Sequence, residues 1–239
     1  SDIHSGSFFL KEPIQNAIDI INKENPDLVL FTGDMVNTIA DEMEPYMEIF
    51  SQIKAKYGVY SVRGNHDYGD YSRWPSAEAK EANHKKFEAI QSAMGWDLLK
   101  NENRILNIKG ADLALIGIEN TSGLPQFQKY GDLAKAHAGT ESAKVKILLS
   151  HDPSYWEPGI LSTYNDIDLT LSGHTHGFQF GIEIPGWIKW SPSQYMYKQW
   201  AGLYSRENQH LYVNRGFGFL GYPGRVGILP EITVLTLTR

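Results

Sequence analysis

Residues 166–177 read "DIDLTLSGHTHG", an apolar run that passes through Ser172 and Gly173 straight into two histidines one residue apart. In an extended segment, residues i and i+2 point to the same face, so His174 and His176 can aim both imidazoles at one point. Gly173 and Gly177 let the backbone bend closely around it. A His-x-His pair is equally at home in a surface loop, so its meaning depends on partners elsewhere. The same grammar recurs at 28–34 ("LVLFTGD"), 59–67 ("VYSVRGNHD") and 145–153 ("VKILLSHDP"): a strand-like apolar run, then a polar loop bearing Asp, Asn or His. Between them lie helical patterns at 14–21 after Pro13, at 42–57 closed by Gly58, and at 77–94. Alternating elements of this kind predict an α/β fold. Residues 104–108 and 111–119 predict a hairpin turning at Lys109-Gly110, and 210–214 and 231–238 predict two closing strands.

With 239 residues, and no repeat or linker, the chain fits one domain over 1–239. A net charge of −6 and the lack of a basic run argue against a nucleic-acid-binding surface. The absence of cysteine removes disulfides, thiolate metal sites and cysteine nucleophiles, and no serine sits in a G-x-S-x-G elbow. No stretch approaches the ~20 apolar residues of a membrane span. The chain opens at Ser1 without a preceding strand, which reads as a trimmed chain whose natural start, with any export signal or anchor, lies upstream.

Five loops carry metal-ligand types: Asp2-x-His4, Gly33-Asp34, Gly64-Asn65-His66-Asp67, Ser150-His151 and Gly173-His174-x-His176. Each has a plain structural reading, as a turn-capping carboxylate or a hydrogen-bonded core histidine. Together they imply one convergent site, because in open α/β folds ligands gather at the carboxyl ends of strands.

This series, in this order over residues 2–176, resembles the calcineurin-like metallophosphoesterase superfamily. The tail from "YVNRGFG" to "PEITVLTL" resembles its bacterial branch of YkuE-like and YaeI-like phosphodiesterases. The resemblance implies a four-layer α/β/β/α sandwich with two metal ions about 3.5 Å apart at the strand ends. It places Asp2, His4 and His176 on the first ion, Asn65, His151 and His174 on the second, and Asp34 across both. Such oxygen and imidazole donors suit Mn, Fe or Zn. Two carboxylates offset half the charge of two divalent ions, leaving positive charge to activate a bridging hydroxide for in-line attack on phosphorus.

His66, directly after Asn65, is the expected general acid for the leaving alkoxide. Asn37, three residues beyond Asp34, stands where relatives carry an aspartate that orients this histidine, or the iron-binding tyrosine of purple acid phosphatases; its side chain can still accept a hydrogen bond from His66. Asp67 is expected to support the loop more than to act chemically. Arg63, Arg215 and Arg225 are candidates to clamp phosphate or, alternatively, to form structural ion pairs. His84, His137 and His210 lack a motif.

Residues 178–204 are crowded with aromatics and read either as a lid packed on the sheet or as rings presented to a lipid interface. Phe178, where relatives commonly have glycine, is expected beside the metals, narrowing the entrance. The substrate expected is a phosphodiester, with a lipid-linked pyrophosphate or a phosphomonoester as alternatives and a non-enzymatic scaffold disfavoured by the complete ligand set. Membrane association or export is left open, through the upstream segment or through 178–204.

Overall fold

The computed structural model describes residues 1–184 and 186–238. The first half builds a three-stranded parallel sheet in the order β1 (Val29–Phe31), β2 (Val59–Ser61), β3 (Trp96–Leu98). Helices α1 (Glu12–Lys23), α2 (Met47–Phe50) and α3 (Ala77–Ala93) accompany it. The second half builds a six-stranded sheet from β4 (Glu102–Ile108), β5 (Ala111–Gly117), β6 (Val145–Leu149), β7 (Leu169–Ser172), β10 (Gly202–Arg206) and β11 (Gln209–Val213), with β8 (Ile182–Ile184) and β9 (Ile188–Trp190) forming a separate hairpin. Its order is β10-β11-β7-β6-β5-β4, with β5, β6, β7 and β11 parallel. A short helix, α4 (Leu133–His137), and a π-helical turn (Trp156–Leu161) accompany this sheet.

Side-chain alternation sorts the core into three layers of packing. Leu30, Tyr60, Leu113, Leu115, Ile147 and Leu149 meet between the two sheets. Their strand neighbours point the other way: Phe31 and Val59 join Ile14, Ile18, Phe50 and Phe87 under the first-half helices. Ala114, Ile116 and Leu148 join Leu133, Trp156 and Ile160 on the far side. A period of two, with both faces of both sheets buried, therefore yields the expected order of helix, sheet, sheet, helix.

Two expectations fail. The helix anticipated over 42–57 is a 3₁₀ stretch (Ala40–Tyr46) followed by the single α-turn of α2, then turns. Pro45 inside it lacks an N–H to continue an α-helical ladder, and Glu42 spends its carboxylate on the main chain of Thr38 at 3.1 Å. The C-terminal apolar alternation at 231–238 pairs with no strand among the described residues, and leaves Val234 and Leu237 exposed. The anticipated hairpin is present, with Ile108 opposite Ala111 across Lys109-Gly110.

Candidate metal centre

Parallel strands bring their carboxyl ends to one edge, and the loops after β1, β2, β6 and β7 meet there. The N-terminal segment crosses the gap between the sheets. Asp2 and His4 N–H groups donate to Gly33 and Asp34 carbonyls at 2.9 and 3.2 Å, while Gly218 N–H donates to the Asp2 carbonyl at 2.8 Å. Asp2 and His4 are thus held to the first-sheet loop on one side and the loop after β11 on the other.

The backbone there is unusual. Asp2, His4, Asp34, His174 and His176 all have φ between +50° and +73°, a region in which non-glycine residues are strained and which clusters at functional sites. The chain also passes close to itself. A Cβ on Gly64 would overlap the Asp34 carboxylate, and one on Gly173 would overlap Asp2.

Two triads of donors result, Asp2–His4–His176 and Asp34–His151–His174, each with its ligand-type atoms within 4.8 Å of one another. His4 Nε2 and His176 Nε2 lie 3.0 Å apart, and Asp2 Oδ1 is 3.2 Å from His176 Nε2. Asp34 Oδ2 lies between the triads, 3.1 Å from His151 Nε2 and 3.6 Å from His4 Nε2. His174 Nδ1 is 3.3 Å from His151 Nε2.

Hydrogen bonds on the outer ring edges set the tautomers. His151 Nδ1–H donates to the Thr32 carbonyl at 2.7 Å, leaving Nε2 as the nitrogen that faces inward. His174 does the reverse: Nε2–H points at the Tyr197 hydroxyl, 2.8 Å away, with Asp152 Oδ2 at 3.5 Å, so bare Nδ1 faces the site. Such outer contacts orient metal-binding imidazoles. Burial, with the neighbouring His176 and His66 rings, pushes His4 down to about 3, which keeps it a neutral, ligand-competent ring. Burial works against a charge on His151 too, yet the Asp34 carboxylate outweighs it and raises that ring to about 10. The negative charge that makes His151 hold a proton is what a cation would satisfy.

Asn65 adds a further donor. It is buried, its Nδ2 donates to the Tyr71 hydroxyl at 2.9 Å, and its Oδ1 has no hydrogen-bond partner. Buried carbonyl oxygens without partners are uncommon, and one beside two imidazole–carboxylate triads fits a metal ligand. The residues present thus fit a pair of divalent cations held by nitrogen and oxygen.

His66 is half-buried, edge-on to His4 with ring centroids 4.9 Å apart and against Tyr71 at 4.5 Å. Its main-chain N–H donates to Asp34 Oδ1 at 2.9 Å. The expected contact from Asn37 comes from a different atom: the Asn37 main-chain carbonyl accepts His66 Nδ1–H at 2.7 Å, while the Asn37 side chain faces Ser7. Asp67 spends both oxygens on main-chain N–H groups of Gly64, Asp34, Met35 and Val36 at 2.8–3.2 Å. Its place is structural: removal would strand four buried donors at roughly 1–3 kcal/mol each.

Arg63 and Arg215 are engaged with carboxylates, while Arg225 lies beside His176. Arg63 donates to Glu88 at 2.9 Å and sits over the Tyr68 and Phe87 rings. Arg215 is paired with Glu183 and with Glu231 at 2.6 Å. Arg225 donates to the Gly218 and Arg215 carbonyls. Of the two readings open for Arg63 and Arg215, these contacts match the structural ion pair. His84, His137 and His210 bond to Tyr68, Asp166 and Ser205 and stay outside the cluster.

Tyr71, Tyr197 and Asp152 were not singled out as site residues from the sequence. Asp152 had a signal, since His-Asp occurs at both 66–67 and 151–152; Tyr71 lies only six residues beyond Asn65, whereas Tyr197, 23 residues from His174, had none. The aromatic segment divides: Tyr197 and Trp200 are buried, whereas Trp187 and Tyr195 are exposed. Phe178 stands at the mouth, edge-on to Tyr197 at 6.5 Å, and is thus one ring removed from His174.

Comparison with known proteins places these loops in context. A family profile described as calcineurin-like phosphoesterase matches residues 1–178. Over 99% of its length the chain is 29% identical to the uncharacterized metallophosphoesterase YkuE of Bacillus subtilis, spanning 77% of that protein. Over its whole length it is 30% identical to a transmembrane protein with metallophosphoesterase domain from Danio rerio, of which it spans 52%. Among solved structures, phosphopantetheinyl hydrolase from Mycobacterium tuberculosis superposes with a TM-score of 0.53 at 13% identity, covering 93% of this chain and 88% of that one. The NAD nucleotidase of Haemophilus influenzae superposes at 0.51 and 15% identity, covering 85% and 38%. At these identities the structures speak for the fold alone. Among the described residues no helix is long and apolar enough to cross a membrane.

Proposed function

Since the chain belongs to the calcineurin-like phosphoesterase family, a family of metal-dependent phosphoester hydrolases, we propose that it cleaves phosphodiesters at a two-metal site with His66 as general acid. The observation that carries this reading is Asp34 Oδ2 standing between the two triads. Asp2, His4 and His176 would hold one cation, Asn65, His151 and His174 the other, and Asp34 both. Bound there, two divalent cations supply Lewis-acid stabilisation of phosphoryl oxygens and lower the pKa of water. The donors suit Mn, Fe or Zn.

The chain's own residues do the rest. The Asn37 carbonyl fixes His66 Nδ1–H, so Nε2 is the nitrogen left to carry a proton to the leaving oxygen. Tyr71 stacks against one face of that ring and holds Asn65 through its hydroxyl, tying acid and ligand to one residue. Tyr71, Phe127, Phe178 and Tyr197 frame the site with rings, Phe127 lying edge-on to His174 at 4.9 Å. Of the sequence candidates, Arg63 and Arg215 are held by carboxylates, and a rim of rings suits an organic ester group. This supports a diester, lipid-linked substrates included, over a polyphosphate.

Turnover of bis-p-nitrophenyl phosphate and p-nitrophenyl phosphate, compared on protein reconstituted with Mn, tests the reading. The diester should turn over faster. A monoester that turns over far faster would assign the site to phosphomonoesters instead.

A further inference from the structure

The β8–β9 hairpin turns an apolar face to solvent. Its register pairs Ile182 with Trp190, Glu183 with Lys189, and Ile184 with Ile188, and residues opposite one another share a face. Ile182, Ile184 and Ile188 are 51, 44 and 41% exposed, and Trp187 at the turn is 84% exposed. The charged pair lies on the other face, with contacts to the body of the protein. Glu183 is paired with Arg215, and Lys189 Nζ donates to the Ala201 carbonyl at 2.7 Å and lies over the Trp200 ring. A solvated two-stranded ribbon does the opposite, with polar side chains outward.

The apolar face also leads somewhere. Phe180 meets Trp190 edge-on at 6.4 Å, Phe178 meets Tyr197, and Tyr197 holds His174. Exposed Phe178 and Phe180 thus lie in the segment between the metal-centre loop and the hairpin, one reaching Tyr197 and the other Trp190. The ribbon's two charged residues, Glu183 and Lys189, both lie on the opposite face, so the apolar face offers a partner almost no hydrogen bonds. Its ends are indole and phenol rings, Trp187, Trp190 and the exposed Tyr195, the side chains favoured at a membrane–water boundary.

We propose that this hairpin docks the protein onto a lipid bilayer surface, seating Trp187 and the three isoleucines at the level of the headgroups with the mouth of the site facing the same plane. Given the hydrolase reading above, this presents phosphoesters at a lipid surface to His66; the docking itself does not depend on that reading. The net charge of −6 leaves little long-range attraction to anionic lipid, so docking relies on apolar insertion and works on zwitterionic membranes.

Cosedimentation of the full chain with phosphatidylcholine vesicles tests this, alongside turnover of soluble bis-p-nitrophenyl phosphate and molar mass in solution. Wild-type protein should sediment with vesicles. The triple variant Ile184→Ser, Trp187→Ser, Ile188→Ser should lose about tenfold or more in partition, with soluble turnover unchanged. The single variant Trp187→Ser should lose several-fold, and stands in if the triple variant folds poorly. Wild-type protein that stays in the supernatant, variants that bind as well as wild type, or a wild-type dimer that the triple variant converts to monomer would each overturn the proposal. Absence of soluble turnover in every form would instead count against the hydrolase reading, with the vesicle result still deciding the docking.

Discussion

The two donor triads are built alike and supported unlike. In Asp34–His151–His174, each imidazole is pinned from behind, His151 by the Thr32 carbonyl at 2.7 Å and His174 by the Tyr197 hydroxyl at 2.8 Å. In Asp2–His4–His176, His4 Nδ1 has no partner, and Arg225 comes no nearer than 3.5 Å to His176 Nδ1. Outer hydrogen bonds of this kind are worth roughly 10–100-fold in metal affinity. The difference teaches that a site symmetrical in its ligands can be asymmetric in its grip. The triad at the strand ends of both sheets has both rings anchored and should grip its ion more tightly than the one that includes the N-terminal segment.

The largest consequence belongs to the residue the triads share. Asp34→Ala should abolish diester turnover under every metal condition, measured as initial rate after reconstitution; recovery with excess metal would show that the triads act separately. His66→Ala should keep the metals and lose ~10²–10⁴-fold in rate with alkyl leaving groups, but far less with p-nitrophenol. Equal losses on both esters would remove His66 from the role of acid. Next comes the asymmetry itself. Stepwise chelation followed by metal analysis should release one ion per chain before the other, with affinities separated by about 10–100-fold. His4→Ala should then spare the more tightly held ion. Smallest is Tyr197→Phe, which keeps the ring and removes the acceptor for His174. It should weaken the tighter ion by about tenfold and leave the looser one unchanged, read by competition with a metal-binding dye.

The sequence made the metal centre more visible than the surroundings that tune it. Ligand residues sit at strand ends, where an apolar run stops and a polar loop begins, and that boundary is a local signal. The grouping of Asp2, His4, Asp34, Asn65, His151, His174 and His176 followed from it together with the family resemblance. The four layers were expected from the family resemblance, and in the structure alternating Leu113, Ala114, Leu115 and Ile116 face the two sides of the sheet. What was hidden depends on side chains meeting from distant segments. Tyr197 reaches His174 across 23 residues and Tyr130 meets Tyr68 across 62, with no periodicity to announce either. The arginines stayed open between two readings because a guanidinium suits phosphate and carboxylate equally, and only the fold supplies Glu88, Glu183 and Glu231. The β8–β9 hairpin was read for its rings, but its exposed apolar face needed the register.

Metal content per chain, measured on wild-type and Asp34→Ala protein after identical loading with Mn, bears most directly on the shared carboxylate. Two ions per chain in the wild type, falling well below one in the variant, is the outcome this geometry requires. A wild type that saturates at a single ion, or a variant that retains two, would contradict it.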